Sequence, residues 1–272
     1  MGLRVNTNVA SMTAQRNLFG VTSRLQGNFA RLSSGLRIAT AADDAAGLGI
    51  SERMRSQVRS YAVAGRNAQD GISLAQTEEG ALNEVSNILV RMRELAMQSA
   101  NGTLSTEDRL TADTEFQALS AEIDRVSDQT TFNGIQLLDG TVASLDIQVG
   151  INANETITIT NEDVSTTTLA INAEDVLTIT GANAAITALD TAINTINTAR
   201  GNLGASQNRM QSALSSIMSA REYLSAAESR IRDVDVASET ADLTRNSILQ
   251  QAAASVLAQA NMQPQLALSL LG

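Results

Sequence analysis

Histidine, cysteine, lysine and tryptophan are missing from this chain, and its 272 residues hold one proline, Pro264. Without imidazole or thiolate ligands the usual zinc sites cannot be assembled. The Ser-His-Asp, Cys-His and lysine nucleophile schemes are closed too. An enzyme would be left with carboxylates, Tyr, Arg and hydroxyls, so the chain is read as a non-enzyme with no cofactor and no metal. Lack of Cys means no disulfides, which suits a cytosolic or an exported bacterial protein. Aromatics are only 2% of residues, so the 43% apolar content rests on Ala, Leu, Ile and Val. That palette favours helix-on-helix packing, and the near absence of proline predicts long uninterrupted elements.

Basic charge is sparse: 19 residues, all Arg, against 29 acids, for a formal net charge of −10. The arginines lie singly, with no aromatic platforms between them, which argues against nucleic-acid binding. A membrane helix needs roughly 20 apolar residues in a row, and none is present. The uncharged tail comes closest, but Gln250, Gln251, Gln259, Asn261, Gln263 and Gln265 interrupt it. Burying those amides in lipid would cost roughly 2 kcal/mol or more each, so no membrane partner is expected. The opening MGLRVNTNVASM lacks the apolar run and cleavage site of a secretory signal, and export would need another route.

Charge is distributed unusually at the ends. Asn246 to Gly272 carries none, and Met1 to Leu36 carries four arginines and no acid. Chain ends are normally polar and frayed, yet both ends here show apolar residues at helical spacing. A lone helix of that kind is marginal in water, which predicts that assembly completes the fold. The open alternative is that the two ends pack on each other within one chain.

Leu18, Leu25 and Leu32 lie at sevenfold spacing, each followed four residues on by Thr22, Phe29 and Leu36, as in a short coiled-coil seam. Val5, Val9, Met12 and Phe19 form a second line. LRIATAADDAAGLGISERM reads as a connector of irregular and short helical pieces. Its Asp43-Asp44 suits helix N-terminal charge, worth roughly 0.3–1 kcal/mol, better than a metal or acid–base pair. Helix resumes from about Arg59 to Asn101, with Leu82, Val85, Leu89, Met92 and Ala96 on one face. Ser105 and Asp108 predict a capping box for a helix that buries Ala112, Phe116, Leu119, Ile123 and Val126. Asn133-Gly134 and Asp139-Gly140 are turn signals. Leu145, Ile147, Val149 and Ile151 alternate with polar residues, as do Ile157 and Ile159, which predicts a hairpin. The Thr-rich stretch from Thr156 to Thr180 reads as exposed strand and loop.

Leu189, Ile196, Leu203, Met210, Ile217, Leu224 and Ile231 then mark a long heptad helix, with small residues three positions after most of them. Gly201 and Gly204 weaken it by about 1 kcal/mol each relative to Ala unless they admit close contact. A last helix spans about Ser238 to Asn261, ending before Pro264. The fold class is therefore mainly α: an elongated antiparallel helical bundle or coiled coil with a small β-hairpin region and paired N- and C-termini.

Five segments together resemble bacterial flagellin: LSSGLRIATAADDAAGLGISERM, RNAQDGISLAQTEEGALNEVSNILVRMRELAMQSANG, EIDRVSDQTTFNGIQLLDG, LGASQNRMQSALSSI and QANMQPQLALSLLG. Their order along the chain makes the set specific. The resemblance implies a minimal form with two core domains: a channel-lining inner domain from residues 1–35 and 238–272, a spoke at 36–58, and an outer domain from 59–140, a short β/loop insertion at 141–184 and a long helix at 185–237. It implies a structural subunit of the hollow filament that serves as a propeller for motility, secreted through type III export to an extracellular flagellum. Partners implied are the chain itself as a helical homopolymer, an export chaperone at the C-terminal helix, the filament cap, hook–filament junction proteins and an animal innate immune receptor.

Assembly of the inner domain is assigned to Val5, Val9, Met12, Phe19, Leu25, Leu32, Leu249, Val256, Leu257 and Leu266. By resemblance, Arg91, Leu95, Gln98 and Glu115 carry receptor recognition and axial contact. A hook–filament junction protein and a type III translocator-like, membrane-active helical protein stay open as alternatives.

Overall fold

The computed structural model of the chain describes residues 7–269, with side chains to residue 263. The order of elements is α1 (Val9–Ser34), α2 (Ala45–Ser99), α3 (Thr106–Gln129), β1 (Thr131–Phe132), β2 (Ile135–Gln136), β3 (Ser144–Gln148), β4 (Thr156–Thr160), α4 (Ile179–Arg232) and α5 (Val236–Ser269). The fold is mainly α with two small antiparallel sheets and paired terminal helices, the class the heptads predict. Two compact units form, one from residues 1–58 and 223–272, the other from residues 59–222. Among the described residues no helix is long and apolar enough to cross a membrane.

In the unit of residues 59–222 the predicted stripes meet. Leu82, Val85, Leu89, Met92 and Ala96 of α2, Phe116 and Ile123 of α3, and Leu189, Ile196, Leu203 and Met210 of α4 share one core. Each large side chain so buried contributes about 1.5–3 kcal/mol. Polar pairs mark α2 and α4 as antiparallel: Arg93 Nε donates to Asp190 at 2.6 Å and Gln207 Nε2 to Glu79 at 3.0 Å. The Ser105–Asp108 capping box closes as predicted, through bonds of 3.1 and 3.2 Å. Asn133 (φ 50°) and Gly134 (φ 80°) turn β1 into β2, the positive φ pair a two-residue hairpin requires. In the other hairpin Leu145 faces Ile159 and Ile147 faces Ile157, so one face of the pair closes the core.

Several expectations are corrected here. The stretch after β4 is exposed only in part: Val164, Leu169, Ile171 and Val176 are buried among half-buried and exposed neighbours. Carboxylates of α3 make this possible by accepting its backbone N–H groups, Asp124 from Thr166 at 2.8 Å and Asp113 from Val176 at 3.0 Å. Gly201 and Gly204 face open space; the glycine that admits close packing is Gly71, where a Cβ would sit 2.7 Å from Met210 Sδ and 3.0 Å from Ile147. One core position carries an ionisable group. Glu78 is fully buried, and neither carboxylate oxygen has a hydrogen-bond partner.

In the other unit the expected connector is irregular only between α1 and α2. Gly47 and Gly49 lie inside α2, whose first turn is held by Asp44 Oδ1 accepting from Gly47 N at 2.9 Å. Asp43 Oδ2 accepts from the backbone N–H groups of Ala39 at 3.2 Å and Thr40 at 2.9 Å. Gly35, at φ 71°, ends α1. Backbone bonds then tie that corner to the junction between α4 and α5: Val234 N to Gly35 O at 3.0 Å and Arg37 N to Arg232 O at 2.7 Å.

Candidate assembly interface

α1 and α5 pack antiparallel along two lines of alternating three- and four-residue spacing. On α1 the line is Ser11, Ala14, Leu18, Val21, Leu25, Asn28 and Leu32; on α5 it is Glu239, Leu243, Asn246, Gln250, Ala253, Leu257 and Ala260, all buried or half-buried. The α1 seam differs from the expected one. Leu18, Leu25 and Leu32 are in it, but their companions are Ala14, Val21 and Asn28, while Phe29 is exposed. The smaller line lets the two helix axes approach more closely than a line containing Phe would.

Polar rungs cross this seam. Asn246 Nδ2 donates to Asn28 Oδ1 at 2.9 Å, and Asn28 Nδ2 donates to Glu239 Oε1 at 2.5 Å. Arg31 Nε reaches the same Glu239 oxygen at 3.0 Å. Nearer the ends, Ser11 Oγ donates to Asn261 Oδ1 at 2.7 Å and Asn8 Nδ2 to Ala260 O at 2.7 Å. Asn8 also caps α1, accepting from Ser11 N at 3.0 Å. The Ala260 contact accounts for another correction: α5 does not stop before Pro264 but runs to Ser269. A proline at 264 has no N–H for the carbonyl four residues back. That carbonyl is Ala260 O, and the Asn8 amide supplies the missing donor.

The predicted assembly residues sort into two sets. Leu25, Leu32 and Leu257 lie in the seam, half-buried. Val9, Met12, Phe19, Leu249 and Val256 are exposed, Phe19 by 78%. Phe29 on α1 and Ile248 and Met262 on α5 are exposed as well. Val5 and the Leu266 side chain lie outside the described residues. The two ends thus pack on each other and still present large apolar side chains. The sequence reading missed Asn8, Ser11, Asn28, Glu239, Asn246 and Asn261. Its available signal was an amide on a heptad line, at Asn28 and Asn246.

The second predicted set is split. Leu95 is 3% exposed and belongs to the core, whereas Arg91, Gln98 and Glu115 lie on the surface. Arg91 bridges Glu94 at 3.0 Å and Glu115 at 2.9 Å, joining α2 to α3. Its hydrogen bonds to the carboxylates of Glu94 first, then Glu115, hold its guanidinium above the usual Arg range.

Comparison with known proteins gives a consistent result. Residues 5–143 match the model of the bacterial flagellin N-terminal helical region, and residues 186–271 that of the C-terminal helical region. A flagellin of Halalkalibacterium halodurans is 49% identical over 269 residues, covering 98% of this chain and 99% of that protein. A flagellin of Bacillus subtilis is 42% identical over 306 residues, with 99% and 100% covered. Among solved structures, the crystal structure of Bacillus cereus flagellin superposes with a TM-score of 0.52 at 38% identity, covering 56% of this chain and 88% of that one.

Proposed function

This chain belongs to the bacterial flagellins and is a structural subunit of the flagellar filament; from that premise we propose that the exposed apolar residues of α1 and α5 are the contacts that build it. One observation carries the reading. The α1–α5 seam uses mainly small and polar residues, and Val9, Met12, Phe19, Leu249 and Val256 remain in water. Large apolar side chains left exposed along both helices are what an interaction surface presents. Covering each of them in a neighbouring subunit would contribute about 1.5–3 kcal/mol, so repetition along a polymer makes a stiff tube from individually modest contacts.

On this reading residues 1–35 and 238–272 form the inner, channel-lining domain, 36–58 the spoke, and 59–237 the outer domain. The role is mechanical, with no catalytic step. The subunit reaches the cell exterior by type III export, its uncharged C-terminal helix shielded on the way by a chaperone, and it meets the cap and the hook–filament junction proteins at the filament's ends. The Arg91, Gln98 and Glu115 surface, backed by Leu95 from the core, serves axial contact and is the candidate for innate-receptor recognition.

Seeded polymerisation tests the proposal. Residues 45–235 alone, and the full chain carrying Phe19→Ser, should stay helical in solution and fail to extend filament seeds. Normal growth by either would overturn the assignment of assembly to the terminal helices.

A further inference from the structure

The apolar part of the α1–α5 seam does not specify its own alignment. Leu18, Leu25 and Leu32 repeat every heptad, so sliding one helix by seven residues sets leucine where leucine was. Ala253 and Ala260 repeat in the same way on α5. Something else must select one alignment. Asn28 is 3% exposed and Asn246 is 8% exposed, and each amide is satisfied chiefly by the other side of the seam. Slid one heptad in one direction, Asn28 would face Ala253; slid in the other, Asn246 would face Val21. Either slip leaves a buried amide without its partner, which is more costly than never having had the amide at all. Glu239 reinforces the choice, because one oxygen receives both Asn28 and Arg31, and the slip that sets Asn28 against Ala253 carries that oxygen away from both.

We propose that the Asn28–Asn246–Glu239–Arg31 network is the register-setting device of the terminal helix pair. It lowers the maximum stability of the pair in exchange for a single antiparallel alignment, and so presents the exposed apolar residues of α1 and α5 to a neighbouring copy of this chain in one fixed pattern. The second half of that statement rests on the reading of those residues as the filament contacts. The network itself touches no neighbour; it acts by positioning.

The chain has no cysteine, so introduced cysteine pairs report alignment directly. Ser11→Cys with Asn261→Cys samples the observed register, since those side chains are 2.7 Å apart. Ser11→Cys with Ala254→Cys samples a one-heptad slip, and Thr22→Cys with Leu257→Cys the opposite one. In the otherwise unaltered full-length chain the native pair should cross-link far faster than either slipped pair. Adding Asn28→Leu with Asn246→Leu should lower the native-to-slipped ratio at least tenfold, while helix content stays and thermal stability holds or rises. Glu239→Gln, which keeps the shape and an acceptor but removes the charge facing Arg31, should lower it at least twofold. A purely stabilising network would instead lose thermal stability and keep its ratio.

A ratio within twofold of the parent in the helical double variant overturns the proposal. If that variant loses its helix signal, an unchanged ratio in Glu239→Gln does so. Seed extension should fall along with the ratio. Register lost with seed extension unimpaired would sink the premise that the terminal faces build the filament, leaving the assignment of register intact.

Discussion

Glu78 is a carboxyl group held in an apolar core with no hydrogen-bond partner. Burial pushes its pKa from 4.5 up to about 7, and the nearby Glu162 carboxylate adds to the shift. Among the described residues no arginine is paired with it. The sign follows from proton linkage. Folding favours the protonated form, so the stabilisation is complete below about pH 4.5, the unfolded value, and is lost as pH rises through about 7. A shift of that size corresponds to a loss on the order of 3 kcal/mol. Denaturant unfolding near pH 5 and pH 8 should therefore show a steeper loss in the parent than in Glu78→Gln, and equal losses would refute the account. Nothing at position 78 of the sequence signals this. Glu78 sits beside Glu79, which is half-buried and accepts from Gln207, and only the packing around the helix tells the glutamate without a partner from the one that has it.

At the scale of the element, most helices were legible because their apolar residues recur at helical spacing. The α2 stripe from Leu82 to Ala96 and the α4 seam from Leu189 to Met210 are buried as their periodicity predicts. What periodicity cannot show is what a glycine or proline meets in space. Gly201 and Gly204 were candidate close contacts, yet both face open space. Replacing each by Ala should stabilise α4 by about 1 kcal/mol, read as a midpoint rise in thermal unfolding of the free chain. The end of α5 was misplaced for a related reason. Pro264 is a fair stop signal, but its orphaned acceptor is satisfied by Asn8, from the opposite end of the sequence. The two residues should be coupled. Asn8→Ala should cost about 1 kcal/mol alone and distinctly less once Pro264→Ala has restored a backbone donor to Ala260. A double-mutant cycle by thermal unfolding measures the difference, and strict additivity would disprove the link.

At the scale of the molecule, the two units differ in how their cores are made. Residues 59–222 enclose Phe116, Leu89, Met92 and Ile196 completely, whereas the α1–α5 seam buries mostly Ser, Ala, Val and Asn. Local opening should follow that contrast. In hydrogen exchange on the free chain, amides of α1 and α5 should exchange many-fold faster than those of α2 between residues 74 and 96, and should gain protection in filaments. Equal protection in both states would count against the terminal pair as the part completed by assembly. The candidate site was half legible for the same reason. Val9, Met12, Phe19, Leu249 and Val256 stood out as apolar residues in charge-poor ends. The seam beneath them did not, because Ala14, Val21 and Asn28 gain their role only when a second helix lies against them.

The backbone corner between residues 35–38 and 231–234 has a mechanical consequence. Drawn apart by its two ends, the chain would peel α1 from α5 starting at the Asn8–Ala260 rung, like a zipper, parting one polar rung after another. The front then arrives at the clamp formed by Val234 on Gly35 and Arg37 on Arg232, which must open before tension travels along α2 or α4. The terminal pair therefore acts as a fuse: it yields in steps under small forces, and residues 59–222 stay unloaded until it has given way.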